Sequence, residues 1–159
     1  MKHLPKHLRP KWRYVAVALE TDPDESFSRG AFQRELWYAT QNLLGDAGSA
    51  DADGTVVRFQ FRNGDGSAVV RARRGEVEAI RAALACVESV DDATVAVGIE
   101  GVSGTIRACE EKFIPAATER PDRREVAFAG ERRSGIARGD RVAVDVDGDR
   151  TYATSEDVE

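Results

Sequence analysis

The stretch TVVRFQFRNGDGSAVVRARR, residues 55–74, constrains this chain more than any other. Val57, Phe59 and Phe61 alternate with Arg58, Gln60 and Arg62, the two-residue period of a strand with one buried face. NGDG (63–66) then supplies residues that adopt positive φ at low cost, and SAVVRARR (67–74) returns. A β-hairpin with antiparallel strands is the consequence.

The segments around it complete an alternating order. RYVAVALE (13–20) puts Val15, Val17 and Leu19 on one strand face and Tyr14, Ala16 and Ala18 on the other. Ser28 is placed to cap a helix running to Leu44, with Gly45 at its left-handed C-terminal position. Phe32, Leu36, Ala39 and Leu43 share one face of that helix, and Trp37 and Leu44 widen the stripe. Val77, Ile80, Leu84 and Val87 mark a second helix, from Glu76 to about Glu88, and ATVAVGIEGV (93–102) a fourth strand with Val95, Val97 and Ile99 inward. SGTIRACEEKF (103–113) predicts a third helix capped by Ser103, with Ile106, Cys109 and Phe113 on one face.

This βαββαβ order is the split βαβ, ferredoxin-like or RRM-like arrangement, an α+β two-layer sandwich, here with an extra C-terminal helix. Both crossover helices pack on one sheet face. The other face carries Tyr14, Ala16, Ala18, Ala96 and Gly98, flanked by Arg58, Gln60, Arg62, Arg71 and Arg73. Its small residues call for a covering element: the third helix, the tail or a partner. The Arg flank suits phosphate contact or a solvated edge that resists strand pairing. The RNP pattern of an RNA-recognition motif is missing.

Organisation along the chain follows: a basic arm (1–12), the core (13–114) and an acidic C-terminal extension (115–159). Residues 116–139 read as a flexible linker, and 140–159 as at most one hairpin or edge strand with a frayed end. The formal net charge is −5. It resolves into five bases without an acid in residues 1–13 and seven acids against Arg141 and Arg150 in 140–159, which leaves −5 for the body between. Nineteen of 23 basic residues are Arg, while acids crowd TDPDE (21–25) and DADG (51–54). Such a surface suits a protein hydrated in concentrated salt, and a GC-rich genome favouring Arg codons accounts for the Arg bias equally well. No apolar run reaches the roughly 18 residues of a membrane span, and the basic start has no apolar signal core, so a soluble, cytoplasmic chain is expected.

Nucleophile-and-base chemistry lacks its parts. His3 and His7 stand four apart in the arm without a third ligand, and no phosphate-loop, nucleophile-elbow or dinucleotide motif occurs. Asp145, Asp147, Asp149 and Glu156 fall at positions one, three, five and twelve of a calcium loop, but Arg150 stands where that loop needs Gly. Cys86 and Cys109 lack the spacing of a zinc or disulfide pair and read as reduced packing residues. No catalytic residue and no metal ligand is assigned. Ser103, Gly104 and Thr105, with Arg107 nearby, form a strand-to-helix junction that suits either a bound phosphate or a simple cap.

The arm and first strand KHLPKHLRPKWRYVAVALE, the helix end NLLGDAG, the stretch VVRARRGEVEAIRAAL and above all VSGTIRACEEKFI resemble the archaeal ribonuclease P protein component 2 family, shared with eukaryotic ribonuclease P and MRP. The resemblance spans residues 1–114, and the acidic surface and extension look haloarchaeal. It implies a ribonucleoprotein endonuclease subunit that helps remove the 5′ leader of precursor tRNA. Ribonuclease P RNA then carries the active site and its Mg²⁺, this chain binds no cofactor, and its partners are that RNA, component 3, the other protein subunits and the precursor tRNA, with no membrane. On that basis the expected RNA contacts are Lys6, Arg9, Lys11 and Arg13 in the arm, Arg71 and Arg73 on the hairpin, and Ser103, Thr105 and Arg107 at the helix start. A ligand-sensing regulatory domain, a free-standing RNA-binding protein and a free-standing endonuclease are the rival readings.

Overall fold

The computed structural model describes residues 5, 7, 11–114, 122–138 and 140–158. It divides into two compact units, Met1–Ala116 and Ala117–Glu159.

The first unit runs β1 (Trp12–Glu20), α1 (Arg29–Ala52), β2 (Thr55–Arg62), β3 (Asp65–Arg73), α2 (Val77–Ala85), a two-rung ribbon of β4 (Ser89–Val90) and β5 (Ala93–Thr94), β6 (Ala96–Ser103) and α3 (Ile106–Phe113). Its main sheet has the order β2-β3-β1-β6 with every neighbouring pair antiparallel. This is the order expected of a ferredoxin-like core. Asn63 and Gly64 both take positive φ (54° and 74°), so the hairpin closes on a two-residue loop whose twist matches its strands.

The inward face of the sheet holds Val15, Val17, Leu19, Val56, Ala68, Val70 and Ala72 against Phe32 and Leu36 of α1 and Ile80 and Leu84 of α2. Phe27, Phe32, Phe59 and Phe61 join this core as touching rings, the closest pair being Phe27 and Phe61 with centroids 4.6 Å apart. Tilted contacts of this kind add to the burial itself.

Four local expectations need correction. The register of β2 shifts between Val56 and Arg58, and this bulge turns Val57 to the opposite face, where it packs near Ala16, Val69 and Cys109. Along α1, Trp37 (52% exposed) and Leu43 (47%) lie in solvent. Helical spacing fixes the angle of a side chain about the axis, not whether anything lies beneath it. Gly45 does break α1, at φ 73° and ψ 177°, but helix resumes and ends at Asp53, which is left-handed and donates its N–H to the Ser49 carbonyl. The cap of α3 is Thr105, whose hydroxyl accepts from Ala108 N at 3.1 Å, while Ser103 still belongs to β6.

α3 covers the Tyr14 and Ala16 part of the face of small residues, while Ala18 and Ala96 stay half-buried and Gly98 exposed. Cys109 is fully buried over Ala16 and Val69, beside Tyr14, Phe113 and Ile114. Gly101 lies beneath Phe113 so closely that a β-carbon there would fall 2.3 Å from the ring, which explains glycine at this point of β6. Burial, then the Glu110 carboxylate beside it, raises the Cys109 thiol above its ordinary pKa. A raised folded-state value stabilises the fold below the ordinary thiol pKa and loses that contribution as pH rises through the folded value. At neutral pH a thiol reagent is accordingly expected to modify exposed Cys86 at once and Cys109 only on unfolding, as mass spectrometry with and without denaturant would show. Prompt labelling of Cys109 would mean that α3 is not docked.

The second unit is a four-stranded antiparallel meander of β7 (Asp122–Phe128), β8 (Glu131–Arg138), β9 (Arg141–Val146) and β10 (Asp149–Thr154), in the order β10-β9-β8-β7. This corrects, for residues 122–138, the expectation of a linker over 116–139, and with it that of at most one hairpin beyond; residues 116–121 and 139 lie outside the described residues. Ala129-Gly130 and Asp147-Gly148 have positive φ throughout and close two of its hairpins. Val126, Ala137, Val142 and Val144 form a small core, with Phe128, Val146 and Val158 packed on it. Thr154 donates from its N–H and its hydroxyl to the Asp157 carboxylate, both at 2.9 Å, which lowers that carboxyl's pKa.

Candidate nucleic-acid interface

Antiparallel pairing decides which charges meet. β1 starts where β3 and β6 end, so the first residues of β1, the last of β3 and the start of α3 share one end of the sheet. Across the strands Trp12 lies opposite Arg73, Arg13 opposite Ala72, and Tyr14 opposite both Arg71 and Ser103. Arg74 N donates to the Lys11 carbonyl at 2.8 Å, extending the alignment into the arm. Seven of the nine residues expected to meet RNA, Lys11, Arg13, Arg71, Arg73, Ser103, Thr105 and Arg107, therefore gather at this end. Lys6 and Arg9 lie outside the described residues, as does His3, and His7 is exposed.

The individual side chains differ in how they are held. Arg13 donates from Nη1 to the Trp12 carbonyl at 3.2 Å, and the same nitrogen would lie 3.7 Å from a β-carbon on Gly104, so its guanidinium stands beside the start of α3. Arg71 lies over the Trp12 indole, its guanidinium carbon 4.1 Å from the ring centroid, and Arg73 lies at 5.6 Å while also pairing with Asp53 at 3.8 Å. Thr105 uses its hydroxyl as a cap, and Arg107 pairs with Glu111 at 2.9 Å on an exposed face. Such an exposed i,i+4 pair contributes only about 0.3–0.5 kcal/mol, so it is a weak competitor for a phosphate.

Trp12 and Arg74 were not singled out from the sequence. Both belong to the cluster through the β1–β3 register, which local periodicity does not contain. Conversely, Arg58 leaves the expected basic flank: it pairs with Glu110 of α3 at 3.1 Å and helps hold that helix down. Arg62 lies opposite Asp65 at the other end of the sheet. That end is acidic, with Glu20 facing Asp65 in register and the Asp22–Glu25 turn beside them. The sheet is polarised along its strands, basic at one end and acidic at the other.

The calcium-loop spacing resolves differently. Asp145 and Arg150 face each other across the β9–β10 hairpin and pair at 3.3 Å, and Asp147 sits in its turn, 3.8 Å from Arg133. Among the described residues no group of three His, Cys, Asp or Glu side chains is placed to hold a metal, and no helix is long and apolar enough to cross a membrane.

Residues 13–114, the sheet and its three helices, match the sequence model of the Rpp14/Pop5 family. The chain belongs to the Rpp14/Pop5 family. Among relatives, it is 58% identical to the ribonuclease P protein component 2 of Natronomonas pharaonis, over 99% of this chain and 98% of the relative. It is 53% identical to the protein of the same name from Haloarcula marismortui, over 96% and 94%. A more distant relative of that name, from Thermococcus gammatolerans, is 34% identical over 113 residues, 71% of this chain and 91% of the relative. Those 113 residues are too few for both units. The haloarchaeal matches extend through the second unit, so the appended meander is shared with Rpp14/Pop5 relatives from salt-loving archaea. The basic end lies almost wholly within the matched region of the Rpp14/Pop5 family, with only Lys11 and Trp12 just before it.

Proposed function

We propose that this chain acts in ribonuclease P as a protein subunit whose basic sheet end grips the catalytic RNA. Family membership makes it a subunit of that endoribonuclease, which removes the 5′ leader of precursor tRNA, and so associates it with other ribonuclease P components. The observation that carries the RNA contact is the convergence of Lys11, Arg13, Arg71, Arg73 and Arg107 at one end of an otherwise acidic body.

Crowded phosphates at the core of a folded RNA repel one another, and fixed guanidinium groups relieve that repulsion. Arg suits the task because its planar fork makes bidentate phosphate contacts that depend on geometry as well as charge. In multimolar salt the screening length is about 3 Å or less, so long-range attraction fades and close, oriented contacts dominate. Net charge −5 then reflects the solvent, while the local cluster selects the partner. The remainder of the proposal is that the RNA carries the active site and Mg²⁺, that component 3 is the direct protein partner, and that the complex works in the cytoplasm. Phe113 and Cys109 of α3 fill the part of the second sheet face around Tyr14, Ala16 and Gly101, which leaves a ligand-sensing domain less of that face to line a pocket.

Affinity capture of the full-length chain from a lysate kept at native salt, followed by sequencing of the bound RNA, tests this. Enrichment of ribonuclease P RNA is expected. Recovery of the chain free of that RNA would overturn the reading.

A further inference from the structure

We infer that Trp12 positions Arg71 as the anchoring phosphate contact of this interface, an inference that rests on the RNA-binding reading above. Of the arginines at the basic end, Arg73 and Arg107 have carboxylate partners, Asp53 and Glu111. Arg71 faces no carboxylate among the described residues. It is half-buried, its Nε is shielded from solvent without a hydrogen-bond partner, and its guanidinium lies 4.1 Å above the Trp12 ring. A cation that has given up water normally gains an acid in exchange. Here the aromatic face takes that place, attracting the charge through its quadrupole without neutralising it.

The stack restricts the guanidinium to one plane and leaves its positive charge without an anion. The terminal N–H groups at the edge of that plane form a two-pronged donor fitted to a phosphate. Tyr14 and Ser103 continue the same row across β1 and β6, so a backbone crossing the strands at this level meets Arg71, Tyr14 and Ser103 in turn. Arg73, 5.6 Å from the same ring and tied to Asp53, makes the weaker contact.

The test measures binding of the full-length chain to ribonuclease P RNA, as affinity and its salt dependence, over the range of KCl in which circular dichroism is unchanged. Trp12→Ala and Arg71→Lys are each expected to weaken binding about tenfold, and Arg71→Gln, which also removes the cation, to lower the slope of log affinity against log salt by about one. The double variant is expected to be no weaker than either single one, and Trp12→Phe, which keeps a ring under the guanidinium, to stay within about threefold of the wild type. In a Trp37→Phe background, added RNA is expected to shift Trp12 emission, a change that a purely structural role would not produce. Wild-type affinity in Arg71→Lys, or losses that multiply in the double variant, would overturn the inference while leaving the subunit reading intact. Failure of the wild-type chain itself to bind the RNA would instead overturn that reading. Should Trp12→Ala fail to fold, Arg71→Lys and the Trp12 emission decide the matter.

Discussion

Replacing Arg13, Arg71 and Arg73 together by Gln is expected to remove most of the chain's affinity for ribonuclease P RNA without loss of fold. These residues approach from neighbouring strands onto one end of the sheet, and none belongs to either apolar cluster of the first unit. Removing one phosphate-neutralising cation should lower the slope of log affinity against log salt by about one, so the triple variant should show a slope lower by about two to three. Affinity should fall on the order of a hundredfold or more at the lowest salt that keeps the fold, since charge-assisted bonds are the stronger class. An Arg62→Gln variant at the acidic end of the sheet is the control and should bind as the wild type does. Filter binding across a KCl series reads both quantities, and an equal fall in the control would remove the polarity argument.

Phe32→Ala is expected to be the most damaging single truncation in the first unit. Phe32 is fully buried between α1 and the sheet, with the Phe27 and Phe59 rings 6.4 and 6.2 Å away. Removing a buried phenyl costs about 3–5 kcal/mol, from the burial forgone plus the cavity left behind. Domains of this size have total stabilities on the order of 5–15 kcal/mol, so the melting point should fall by roughly 15 °C or more. Trp37→Ala, by contrast, truncates a half-exposed ring and should shift the melt little. Thermal melts at one fixed salt concentration compare the two, and similar destabilisation would mean that the core is not centred on the phenylalanine cluster.

The two outcomes bear on how much of this molecule is written locally in its sequence. Asn63-Gly64 flanked by alternating residues specifies its hairpin through backbone chemistry alone, and the sheet order follows from that hairpin and two crossover helices. The β2 bulge does not follow. Immediately before it, the Gln33 side chain accepts from Val56 N at 2.6 Å and donates to the Gly54 carbonyl at 3.2 Å, a tertiary tie between α1 and the start of β2 that no alternation pattern contains. Trp12 and Arg71 are likewise far apart in the chain and meet because β1 pairs with β3. Most of the basic end was legible as charge, but Trp12 was not.

The second unit was missed for a different reason. Asp147-Gly148 between VAVDV and DRTYAT is as good a hairpin signal as Asn63-Gly64, yet the surrounding acids read more readily as a hydrated tail. Arginines and acids alternate there with a few valines, enough for a small core of Val126, Ala137, Val142 and Val144 and too few to raise the mean hydropathy of the segment. The turn residues, rather than the composition, carried the information.

Cleavage of a precursor tRNA by ribonuclease P RNA at limiting Mg²⁺, with component 3 present and this chain added or withheld, tests the central claim most directly. A marked gain in 5′-leader removal on addition of the chain, with none from the chain when the RNA is omitted, is the predicted result. An unchanged rate on addition, or leader removal by the chain without the RNA, would contradict the account.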